Sequence, residues 1–165
     1  QQARNARRAA EQLDIPTGTI SVAQPDEEDS SLASLMFRGR AAEKLASSAP
    51  HYPWEMFQEC PYENLSDPGR MHIDPLGHVH ICQGISLGNL FHPPLVELCS
   101  TYDPETHPII GPLLEGGPPE LARRHRIRPE ETYADACHLC YEARRALRER
   151  FPEHLGPPQV YGIED

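Results

Sequence analysis

No apolar run in the chain approaches the ~20 residues that a membrane-spanning helix needs, and no secretory signal pattern opens the sequence. A basic surplus is missing as well. Fifteen Lys and Arg stand against 25 Asp and Glu, a formal net charge of −10. That balance argues against a broad nucleic-acid surface. Apolar residues make up only 38% of the chain, too few for a long helical bundle. The glycine-rich segment "CQGISLGN" does not end in GK[ST], so it is no phosphate-binding P-loop. There is no internal repeat. The expected setting is cytoplasmic, with neither membrane nor nucleic acid as a partner.

What is present is proline, 18 residues of it, and a pattern of short segments between turns. Both predict a loop-rich α+β protein with a modest core. The first residues, "QQARNARRAAEQL", are already in helical rhythm and carry no initiator Met, as expected for a piece of a larger protein. The pattern predicts a helix over 3–13, a β-branched strand over 17–22, and a solvated acidic loop over 23–31. A helix over 31–47, kinked near Gly39, follows. Residues 48–69 form a connector rich in proline and aromatics.

Next comes "RMHIDPLGHVHIC", a β-hairpin with strands 70–74 and 78–82 and Gly77 placed for a positive φ in the turn. Period-two alternation assigns Ile73, Val79 and Ile81 to the buried face. His78, His80 and Cys82 then share the other, polar face. His72 and Asp74 have the parity to pair with His78 or His80 across the hairpin. Short helices are predicted at 93–100 and 118–125, and a longer one over 133–151, ahead of an irregular tail. The organisation expected is therefore 1–50, 51–154 and 155–165.

Five cysteines, an odd number without a secretion signal, point to metal or redox chemistry rather than a disulfide framework. Cys137 and Cys140 in "DACHLC" lie at i and i+3 on the first turns of a helix. They can converge on one ion or cluster, and the helix dipole favours their thiolates. Alone, such a pair equally suits two core cysteines. Cys60 precedes the hairpin in "FQECP", and Cys82 ends its second strand five positions after Gly77. Four thiolates from these two half-sites suit zinc or an iron–sulfur cluster, and ligand identity does not separate the two. Cys99 reads as a core residue of a short apolar helix, or as a substitute ligand. His80 is the histidine nearest Cys82 on its face and stands as a further candidate. His138 points away from the line joining the two thiols, as a hydrogen-bonding neighbour would.

The order Cys60, Gly77, four residues, Cys82, then Gly88–Asn89 and a late CxxC resembles the SPASM/Twitch domains of radical S-adenosylmethionine enzymes. The resemblance spans about residues 55 to 150. It implies that Cys60, Cys82, Cys137 and Cys140 hold one auxiliary [4Fe–4S] cluster serving substrate binding or electron transfer. It further implies that residues 1–50 end a partial α/β barrel and that the remainder of the barrel is a partner. A peptide or small molecule would be the substrate. Arg38 and Arg40 would then either reach an anionic ligand in the barrel or lie on a solvated helix face. Two departures limit the match. The spacing from Cys60 to Gly77 exceeds the usual one, and "YEARRALRERF" carries no further cysteines for a second cluster. The barrel's CxxxCxxC is absent, so S-adenosylmethionine belongs to the missing part and this stretch alone is no working enzyme. The rival readings are a structural Cys₄ zinc module for protein interaction and a thiol-redox protein using Cys137 and Cys140.

Overall fold

The computed structural model describes residues 35–163, together with Arg8 and Gln12. The chain divides into two units, 1–34 and 35–165, and only the second is described as a fold. Apart from Arg8 and Gln12, which are helical, the helix expected over 3–13 and the strand over 17–22 lie outside the described residues. The first residues of the helix expected over 31–47 do too. Its remainder is helical only beyond Gly39, as α1 (Arg40–Lys44). Gly39 adopts a φ of +55°, which an α-helix cannot include, so residues 35–38 approach as irregular chain.

A two-stranded sheet pairs β1 (Tyr52–Pro53) with β5 (Thr132–Tyr133), antiparallel, and so ties the connector to the last helix. A second, three-stranded antiparallel sheet has the order β2 (His72–Ile73), β3 (His78–Cys82), β4 (Ile85–Asn89). The β2–β3 turn forms as the sequence predicts. Asp74 Oδ1 accepts from the backbone N–H groups of Leu76 and His78 at 2.8 and 3.0 Å. Gly77 sits at φ +84°, where a Cβ would meet the Phe91 ring at 2.6 Å. Strand β4 falls in the glycine-rich segment after Cys82, where no strand was predicted. It pairs with β3 through two register shifts, and its N-terminal end bridges to Leu155.

The expected hairpin faces need correction. Ile73 is half exposed, whereas Val79, His80, Ile81 and Cys82 are all buried. Strand β3 is the central strand and is covered on both sides, so its second face is not a solvated polar face.

Helix α2 (Leu95–Ser100) is short and buries only Leu98. Helix α3 (Ile110–His125) is two helices joined at a kink, where Gly116 and Gly117 leave helical geometry and Pro118–Pro119 restart it. The expected helix 118–125 is the second half; the first half was not foreseen. His107 closes its start, Nδ1 accepting from the N–H groups of Ile109 and Ile110 at 3.1 and 3.2 Å. Helix α4 (Ala136–Leu147) is shorter than the 133–151 expected, because Thr132–Tyr133 belong to β5. Asp135 caps it, accepting from His138 N–H at 2.7 Å, as Asp does at helix starts.

The main core gathers Ile81, Ile85, Ile109, Ile110, Leu113 and Leu121 from the sheet and α3 with Tyr141 and Leu147 from α4. The tail, expected as irregular, contributes fully buried Leu155 and Tyr161 to that core, the latter from a 3₁₀ turn over Pro158–Tyr161. A mixture of helices and two small antiparallel sheets makes the described unit α+β. Among the described residues no helix is long and apolar enough to cross a membrane.

Candidate metal centre

Three local devices deliver the four cysteines. Cys60 follows the 3₁₀ turn Trp54–Met56 in an irregular loop. The kink of α3 presses against that loop: at Gly117, φ +67°, a Cβ would lie 2.4 Å from Gln58 C and 2.5 Å from Glu59 N. Only glycine lets the two backbones meet so closely, one residue before Cys60. Cys82 is the last residue of β3, its position set by the Gly77 turn. Cys137 and Cys140 sit on the first turns of α4, whose start Asp135 also ties to Phe37 N–H at 3.2 Å.

These four thiols line one cavity. Its other walls are Pro61, Leu65, Ile85, Leu113, Pro118 and Ala136, with Arg144 the single charged group. Cys82 and Cys137 are buried, Cys60 and Cys140 half-buried, and all four thiols are free. Among the described residues no group of three or more Cys, His, Asp or Glu side chains meets the geometry of a single-ion site. The thiols thus border the cavity together without forming a ready-made single-ion cage.

At the helical pair, Cys137 and Cys140, burial opposes the thiolate form. Burial pushes both thiols up, Cys140 to about 11, where nearby Arg144 pulls against the shift. For Cys137, Asp135 and the neighbouring thiols act in the same direction as burial. The depressed pKa that a redox CxxC requires is the opposite condition, which counts against the thiol-redox reading.

Arg144 was not foreseen as part of the site. It is 1% exposed, on the face of α4 that carries Cys140. Its Nη1 donates to Gln83 O at 2.6 Å, its Nε to Cys140 O at 3.2 Å, and Nη1 lies 3.5 Å from Tyr161 Oη. Tyr161 in turn donates to Gly84 O at 2.7 Å. The guanidinium therefore clasps the β3–β4 turn, immediately after Cys82, to the helix that carries Cys140. Burial works against its charge, and Cys140, Tyr161, Cys82 and Cys137 hold its pKa above the ordinary value only when they are ionised. Arg38, expected at a barrel ligand or on a helix face, instead donates from Nη1 to Cys82 Sγ at 3.1 Å. Arg40 is exposed.

The secondary candidates lie elsewhere. Cys99 is exposed rather than in the core, 3.7 Å from Met71 Sδ, and does not line the cavity. His80 is buried, but its Nε2 faces Asp74 Oδ2 at 3.5 Å, and the same oxygen takes His78 Nδ1 at 2.9 Å. The cross-hairpin pairing expected for Asp74 is therefore present, and His80 does not line the cavity. His138 turns towards β5, its Nδ1 accepting from Ala134 N–H at 3.2 Å and its ring edge-on to Tyr133.

The sequence did hold a signal for Arg144. It lies four residues after Cys140 and next to Ala143, on the stripe that marks the buried face of the helix. Gly117 could be read only as a turn residue, since its function depends on a contact with a distant loop. Comparison with family models, with curated proteins and with solved structures finds no match to the chain.

Proposed function

We propose that this chain carries an auxiliary iron–sulfur cluster, held by Cys60, Cys82, Cys137 and Cys140, as the C-terminal SPASM/Twitch-like part of a radical S-adenosylmethionine enzyme. The observation that carries the reading is the convergence of four thiols, from a loop, a strand end and a helix, on one apolar cavity. Four thiolates around a shared space are what a cubane cluster uses, one per iron. The order of cysteines and glycines that resembles the SPASM/Twitch pattern supports the same assignment.

When bound, such a cluster supplies an electron-transfer station or a site for substrate. The chain's own residues do the rest. Leu65, Ile85 and Leu113 exclude water from the thiols. Asp135 and the Gly77 turn fix where the helix and the strand present theirs. Radical chemistry, with S-adenosylmethionine, belongs to the remainder of the barrel, and a peptide or small molecule is the substrate class. A reducing, cytoplasmic setting keeps the five thiols free.

Anaerobic reconstitution of the full chain with iron and sulfide tests this. The expected product has a broad visible charge-transfer band and about four iron and four sulfide per chain. A protein that takes up zinc alone, tightly and once per chain, replaces the reading with a structural Cys₄ zinc module. Uptake of neither removes the metal centre.

A further inference from the structure

Arg144 poses a problem that the described protein does not solve by itself. A guanidinium is always charged at neutral pH, and burying one without an anion is strongly destabilising. Arg144 is 1% exposed, yet among the described residues no carboxylate pairs with it. Its polar partners are two backbone carbonyls and a tyrosine hydroxyl, all neutral. What does surround it is sulfur: it lines the same cavity as the four cysteines. Arg38, which does not itself line the cavity, donates from Nη1 to the Sγ of Cys82, which does. A neutral thiol is a poor acceptor, whereas a thiolate or metal-bound sulfur is a good one.

We propose that Arg144 and Arg38 are the built-in counter-charges of the four-cysteine centre. The inference rests on the metal–thiolate reading above and adds the charge that the site is made to hold. Four thiolates contribute four negative charges, and a dipositive core, a [4Fe–4S]²⁺ cluster or Zn²⁺, leaves two. Two guanidinium groups offset those two, so the loaded site is close to neutral and the empty one is left with unbalanced positive charge. Arg144 is a positioning residue as well, because it holds the turn after Cys82 against the helix that bears Cys140. For a cluster, the same two charges favour the reduced state, which is more negative by one, and so raise the midpoint potential.

The test compares the full chain with its Arg38→Met, Arg144→Lys and Arg144→Met variants after identical anaerobic loading. It reads metal loss to a chelator and, where iron is bound, the midpoint potential by titration with dithionite. Arg38→Met is expected to hold a full complement of metal with a more negative potential and several-fold faster metal loss. Arg144→Met should lose metal at least tenfold faster than the wild type, and Arg144→Lys should recover part of that loss by restoring the charge. Arg38 is only half-buried and has no role in the core, so it carries the test if Arg144→Met fails to fold. If all variants match the wild type in retention and potential, the counter-charge role is overturned and the metal centre stands. A zinc-loaded wild type leaves the retention comparison intact. A wild type that binds neither iron–sulfur nor zinc overturns both.

Discussion

The two ends of strand β3 present ligand-type side chains in opposite states. At its start, Asp74 meets one ring nitrogen each of His78 and His80 with a single carboxylate oxygen and uses the other to fix the turn. At its end, Cys82 faces three more thiols and two arginines, with no carboxylate among them. Each histidine gives one ring nitrogen to that carboxylate, and His80 Nδ1, though buried, has no hydrogen-bond partner among the described residues, but neither ring lines the cavity of the thiols. Ligand capacity is therefore to be judged by which ligand-type side chains share a cavity, not by their density in the sequence.

The largest effect that separates the two ends concerns metal. Cys82→Ala and Cys137→Ala should each fall from full metal content to near zero on reconstitution, while His80→Gln keeps all of it. Metal analysis of the three proteins side by side checks this, and loss of metal from His80→Gln would erase the distinction between the ends.

Next is the support for Cys60. Gly117→Ala places a methyl 2.4 Å from the Gln58 backbone at a φ of +67°. It should cost at least ~3 kcal/mol in urea unfolding and reduce metal content with it. Gly69→Ala, which meets no atom within 4 Å, should stay within ~0.5 kcal/mol of the wild type.

A third prediction concerns pH, at a histidine outside both constellations. Burial, with His154 nearby, pulls His107 down to about 4 from an ordinary 6.5. Because the folded value lies below the unfolded one, its stabilising effect is complete above pH 6.5 and drains away as pH falls towards 4. The loss is up to about 3 kcal/mol, seen as a falling urea midpoint over that window. His107→Asn keeps an acceptor for Ile109 and Ile110 N–H and should flatten that part of the profile.

Smaller again is Asp74→Asn, which weakens the hydrogen bonds of the turn and should cost about 1–2 kcal/mol while metal content is unchanged. The smallest is Cys99→Ser. Its exposed thiol should leave stability within ~0.5 kcal/mol and metal content untouched, by the same two measurements.

The hairpin was legible because its signals are local: alternation gives the strands, and Gly77 marks the turn. The α4 pair was legible for the same reason, as Asp135, Cys137 and Cys140 lie within one helix start. Strand β4 was not, because its glycines read as loop and its N-terminal end is held by Leu155, some seventy positions away. The burial of His80 was hidden likewise. Histidine on an alternating strand reads as solvent-facing until the carboxylate that meets its Nε2, Asp74, is known to be in place. Arg144 shows the limit most sharply. Its spacing from Cys140 is that of the buried stripe while its charge argues for solvent, and its partners, Gln83 O and Tyr161 Oη, come from distant parts of the chain.

The most direct test of the whole account is X-ray absorption at the metal edge of the loaded full-length chain. The account predicts a first shell of sulfur alone, lost together with the metal in Cys82→Ala. A shell containing histidine nitrogen would contradict it.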